Sequence, residues 1–91
     1  MKSKTGIELI TDERKRQIEK EGFTSEHDDT HINGELSQAA ICYAQSHRVA
    51  VPYGWPWANE WWKPSDKKVD NLVKAGALIA AEIDRLNRGT K

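Results

Sequence analysis

All four tryptophans of the chain fall in the run WPWANEWW, Trp55 to Trp62, and all three prolines, Pro52, Pro56 and Pro64, lie in or beside it. Proline fixes φ and lacks an N–H, so a helix cannot run through this segment. Its large rings must nevertheless be covered by the rest of the chain. The sequence is therefore constrained to place regular elements on either side of an irregular aromatic connection and to wrap them around it. Each buried indole needs an acceptor for its N–H, and Trp61 and Trp62, being adjacent, cannot share one face. Complete burial of all four is hard in 91 residues. At least one is expected to line a pocket or an interface, with Trp55, Trp57 and Trp62 the candidates for stacking on a flat ligand. Such stacking contributes ~1–3 kcal/mol per nucleobase.

The flanking segments carry helical periodicity. Thr5 and Glu8 have capping-box spacing, Ile7, Ile10, Arg14 and Ile18 form a thin apolar stripe, and Gly22 is placed to end the first helix. A second helix carries Leu36, Ala39, Ala40, Tyr43 and His47 on one face, with Asn33 or Asp29 as its cap. A third starts after Pro64 with Ser65 as N-cap and runs through Val69, Leu72, Val73, Gly76, Ala80 and Ile83, with Leu78 and Ile79 broadening the stripe. A short strand over Val49–Val51 and one helical turn over Ala58–Trp62 are the local options inside the connection. The reading is a single small all-α domain over residues 1–91, ordered from about residue 5 to 88, with three main helices and a Trp/Pro-rich connection between the second and third.

Composition narrows the function. The chain has 14 basic and 14 acidic residues and a formal net charge of zero. A dedicated nucleic-acid binder usually shows a basic excess, so nucleic acid is an unexpected partner. No apolar run approaches the ~20 residues of a membrane span, and the first residues lack the apolar block of a signal peptide. The lone Cys42 suits a reducing cytoplasm and the role of a small buried residue. A domain this short buries only roughly 60% of its unfolded surface, so a homo-oligomer is expected.

The stretch EHDDTHINGEL, Glu26 to Leu36, holds the chemistry-bearing residues of the first half. His27 and His31 are four apart, as in the helical zinc motif H-E-x-x-H, but with Asp28 in place of Glu and with Glu35 as the only nearby third ligand. Glu26, Asp28, Asp29 and Glu35 are oxygen donors of the kind that suit Mg²⁺ or Mn²⁺. Helical pyrophosphohydrolases of the MazG type gather such carboxylates in an E-x-x-E and a later E-x-x-D; here Glu13, Glu19 and Glu21 lack the first spacing, and the later half offers only the separated Glu82 and Asp84. A third option is a solvated cap, in which Asp28 or Asp29 accepts N–H groups of the following helix and His27 packs on it. Arg14, Arg16 and Gln17 on the first helix, and Lys63, Lys67, Lys68 and Lys74 around the third, supply groups that hold phosphate. Lys74 stands out, since it sits beside residues expected to pack and should reach a carboxylate, a ligand or water.

The segments ERKRQIEKEGFTSEHDD, GELSQAAICYA, WPW…WWKP and NLVKAGALIAAEIDRL resemble a family of small bacteriophage- and prophage-encoded proteins over about Glu13 to Leu86. The family's E-R-x-R-Q, E-G-[WF]-T-x-E-H-D-D and G-E-L patterns fall on Glu13, Arg14, Arg16, Gln17, Glu21, Gly22, Phe23, Thr24, Glu26, His27, Asp28, Asp29, Gly34, Glu35 and Leu36. Phe23 stands where the family commonly has Trp. The helix, aromatic connection and final helix are also similar in layout to ryanodine-receptor-type repeats. The resemblance implies a phage-encoded protein in the host cytoplasm. The residues then point to a binding module with Arg14, Arg16, Gln17, His27, Asp28, Trp55, Trp57, Trp62, Lys63 and Lys74 around a small, anionic, nucleotide-like molecule, such as a signal of host immunity. The alternatives are a protein-interaction module and a Mg²⁺- or Mn²⁺-dependent nucleotide pyrophosphohydrolase; for the binding module no cofactor is expected.

Overall fold

A computed structural model of the chain describes residues 4–45 and 50–89. It contains α1 (Gly6–Glu21), a short α2 (Ser25–Asp28), α3 (Glu35–Gln45), a single 3₁₀ turn (Asn59–Trp61) and α4 (Lys68–Gly89). No strand occurs among the described residues. The small all-α architecture is thus as expected, with three main helices. His47 and Val49 lie outside the described residues, and Val51 is in no strand.

The start of α1 follows the sequence closely. The Thr5 hydroxyl accepts from the Glu8 N–H, and the Glu8 carboxylate accepts from the Thr5 N–H. These two bonds satisfy donors that have no partner within the helix. Gly22 closes the helix at φ 76°, a left-handed conformation that a side chain would strain. Only the middle of the expected α1 row turns inward. Ile7 and Ile18 are exposed, whereas Gln17 is buried and Ile10 and Arg14 are half-buried. The reason is that α1 lies against α4 through Ile10 and turns Arg14 toward the buried Asp28.

The loop after α1 is more ordered than its composition suggests. Thr24, not an Asp, caps α2 by accepting from the His27 N–H. Asp28 is fully buried and caps nothing; its Oδ2 accepts from Arg14 Nη2 at 2.9 Å. Arg14 also donates to the Phe23 carbonyl. Asp29 pairs with Arg88 near the far end of α4. The expected caps of α3 are therefore corrected: Asn33 gives its N–H to the Glu35 carboxylate, and Asp29 is used elsewhere.

Helix α4 is the central element, with α3 and α1 both packed along it. Leu36, Ala39, Ala40, Cys42 and Tyr43 of α3 meet Ala75, Leu78 and Ala81 of α4 in the core, together with Trp62. Small side chains dominate, which allows the two helices to approach closely. The inward face of α4 is only partly the expected one: Leu78 is buried and Val73, Gly76 and Ala80 are half-buried. Val69, Leu72, Ile79 and Ile83 are exposed, because the alanine-rich face complements α3 better than the bulky one does. The helix begins at Lys68, past Ser65, whose hydroxyl accepts from the Lys67 N–H. Asn71 clamps this entry by accepting from the Ser65 N–H and donating to the Ser65 carbonyl. Where α1 crosses, Gly76 leaves room for Ile10: an added Cβ would stand 2.5 Å from its Cδ1.

Candidate functional site

Two hydrogen bonds tie the end of the Trp/Pro connection to α3 and α4, and a third joins the two helices beside it. The Lys63 N–H donates to the Tyr43 hydroxyl, Lys68 Nζ to the Ala44 carbonyl, and Lys74 Nζ to the Lys63 carbonyl. The 3₁₀ turn brings Trp61 and Trp62 around, and the Trp55 indole donates to the Ala58 carbonyl. The adjacent pair splits as the sequence requires. Trp62 is buried and stacked on Tyr43, with centroids 4.6 Å apart, while Trp61 is exposed.

The rings form one continuous series. Phe23 stacks on His27 at 5.1 Å and an interplanar angle of 4°. His27 then meets His31, His31 meets Trp57, and Trp57 meets Trp55. Trp55 finally contacts both Tyr43 and Trp62. Tilted and edge-on ring pairs contribute ~0.5–1.5 kcal/mol each beyond the area they bury. The series therefore acts as a rigid wall joining the α1–α2 junction to α3.

Opposite this wall, the last two turns of α1 present Glu13, Arg16, Gln17 and Glu21. The space between is a cavity of about 310 Å³, at the small end of the range of ligand pockets. Its lining includes Phe23, His27, His31, Tyr43, Trp55, Trp57 and Trp61 on the aromatic side, and Glu13, Arg16, Gln17, Glu21, Lys63 and Lys74 on the polar side.

The polar side is a network of ion pairs. Arg16 binds Glu13 through two bonds of 2.8 and 2.9 Å and Glu21 through one of 3.0 Å. Lys63 Nζ reaches Glu21 at 3.4 Å and lies over the Trp61 ring. The Glu13 bond, most of all, raises the Arg16 guanidinium above its ordinary value. Burial pushes the Glu21 carboxyl up, but Arg16 and Lys63 outweigh it, so it stays below the usual range. Lys74 differs, because its Nζ bonds only a carbonyl and sits 5.6 Å from the Tyr43 ring centroid. Burial pushes its ammonium down.

Several buried polar atoms around the cavity lack a partner among the described residues. They are Gln17 Oε1, Trp57 Nε1 and His31 Nε2, with His27 Nδ1 facing the unpaired Asp28 Oδ1 at 3.5 Å. Gln17 is only 3% exposed, and its Nε2 donates to Glu13. Burial, then the neighbouring His27, lowers the His31 imidazole, so at neutral pH its ring is uncharged.

Of the residues the sequence put around a ligand, Arg16, Gln17, His27, Trp55, Trp57, Lys63 and Lys74 line this cavity. Arg14, Asp28 and Trp62 do not: the first two are paired with each other and the third is core. Glu13, Glu21, Phe23, His31, Tyr43 and Trp61 are lining residues that the sequence reading left out. The signal for Glu13 was present, since positions 13, 16, 17 and 20 or 21 share a helical face with Arg16 and Gln17. The proposed carboxylate ligands do not converge. Asp28 is committed to Arg14, Asp29 to Arg88 and Glu35 to the Asn33 N–H, while Glu26 is exposed. Among the described residues no group of three or more His, Cys, Asp or Glu side chains is arranged to hold a metal ion.

No helix among the described residues is long and apolar enough to cross a membrane. Comparison of the chain with protein-family models, with curated proteins and with solved structures finds no match.

Proposed function

We propose that the chain is a small-molecule-binding module whose ligand is nucleotide-like. One observation carries this reading: a single cavity is lined both by the connected rings from Phe23 to Trp55 and by the cations Arg16, Lys63 and Lys74, the two lysines set against the Trp61 and Tyr43 rings. Flat rings stack on a base, and guanidinium and ammonium groups bind phosphate oxygens. In the phage setting that the sequence resemblance implies, binding alone would withdraw such a molecule from the host. Native mass spectrometry of the freshly purified protein, before and after denaturation, tests the reading together with melting-temperature shifts across a nucleotide panel. A bound mass lost on denaturation, or a nucleotide-dependent rise in Tm, is expected. Neither appearing would refute it.

A second reading, the chain as an interaction module, is favoured by a separate feature. Val69, Leu72, Ile79, Ile83 and Leu86 are all exposed, and their three- and four-residue spacing puts them on one face of α4. Ile10 of α1 crosses this face at Gly76, and the apolar side chains left open on either side of the crossing mark contact sites. The occupant that fits best is a second copy of the chain, and sedimentation at several concentrations tests it.

A further inference from the structure

The unpartnered atoms and the charge balance of the cavity together narrow its ligand. A buried polar group without a partner costs about 1–3 kcal/mol, and native proteins keep few of them. Here three belong to residues that line one cavity: Gln17 Oε1, an acceptor, Trp57 Nε1, a donor, and His31 Nε2. Bare phosphate offers oxygen acceptors and cannot serve the Gln17 acceptor unless protonated. The edge of a nucleobase carries donors and acceptors side by side, and serves both kinds.

The ionic side sets the charge. Among the lysine, arginine and glutamate side chains of the lining, Arg16, Lys63 and Lys74 stand against the two carboxylates Glu13 and Glu21, which leaves one positive charge in excess. Arg16 is already held by both carboxylates. A ligand with several negative charges would have to break those pairs and would still meet Glu13 and Glu21 at short range, where like charges repel strongly away from bulk water. A ligand with one negative charge is neutralised by the excess cation and leaves the pairs intact.

We infer that the cavity takes a nucleobase-bearing monoanion, of the class of cyclic nucleoside monophosphates and other phosphodiesters, with Gln17, Trp57 and His31 reading the base edge. This refinement rests on the nucleotide-like reading proposed above. Isothermal titration of the full chain separates the two. The probes are the cyclic monophosphate, the nucleoside and the nucleoside triphosphate of each common base, together with ribose 5-phosphate. One cyclic monophosphate is expected to bind at least about tenfold more tightly than its nucleoside or its triphosphate, the loss expected from an uncompensated charge or a missing partner. Ribose 5-phosphate should give no detectable heat of binding. A triphosphate that binds as well or better would overturn the single-charge assignment and leave the nucleotide reading standing. Equal binding of ribose 5-phosphate would overturn base reading. No binding by any probe would sink both. Gln17→Met, checked for an unchanged fold, should weaken the preferred ligand about tenfold by removing the acceptor; unchanged affinity would remove Gln17 from the site.

Discussion

At the scale of single residues, the histidines and carboxylates of the EHDDTH stretch hold the structure together and border the cavity at one corner. The Arg14–Asp28 pair carries the first role. Its carboxylate is fully buried and its guanidinium nearly so, and removing one partner leaves a buried charge unmatched. Asp28→Ala is expected to destabilise the fold by about 3–5 kcal/mol, read by chemical denaturation; a loss within the range of a surface pair would contradict the assignment. His31 gives a pH signature. Its folded value lies below the ordinary 6.5, so the unfolded chain takes up the proton first as pH falls. The stability contributed by the neutral ring is complete above about pH 6.5 and is lost below it. Melting temperature should therefore drop from about pH 7 to about pH 5.5, and His31→Gln should flatten that limb. An identical slope in the variant would show that His31 does not set it.

Among the elements, the α1–α4 crossing depends on Gly76. Glycine is otherwise unfavourable inside a helix by about 1 kcal/mol, so the position is explained by the approach of Ile10. Gly76→Ala is expected to lower stability by about 1–3 kcal/mol through overpacking, despite its better helix propensity. Ile10→Ala removes both Cδ1 and the Cγ1 that would stand 2.8 Å from the new Cβ, so the double mutant should lose less than the sum of the two single losses; strictly additive losses would place the strain elsewhere. The elements were also where the sequence was most legible. The capping box, Gly22 and the alanine face of α3 are local signals, written within one or two turns, and each reads directly. Which face of α1 and α4 turns inward is decided by neighbours. Bulky Val69, Leu72 and Ile83 gave the stronger periodic signal, but Ala75, Leu78 and Ala81 fit the close approach of α3. The cavity was partly legible for the same reason. Arg16, Gln17 and the tryptophans announced themselves by residue type. The pairing of Arg14 with Asp28 brings together groups 14 residues apart and left no local trace, and the structural use of Trp62 depends on Tyr43 from another helix.

For the molecule as a whole, the shape follows from α4 having neighbours on only some of its sides. The principal extents are 42 × 34 × 20 Å, and the thinnest is about two helix diameters. The radius of gyration, 13.1 Å, slightly exceeds the roughly 12 Å expected for a chain of this length. A flat domain with Ile83 and Leu86 open to water gains by pairing. Sedimentation should show self-association that Ile83→Lys abolishes; a wild-type monomer at every concentration would remove a second copy as the occupant. The central claim concerns the other side of the molecule, the cavity between α1 and the aromatic connection. Its most direct test is a titration of the ¹⁵N-labelled protein with cyclic nucleoside monophosphates, following the indole N–H signals by NMR. The unpartnered Trp57 N–H should move most, with Trp55, already bonded to the Ala58 carbonyl, moving less. Indole signals that stay fixed at saturating concentrations of every base would show that this cavity is not a nucleotide site.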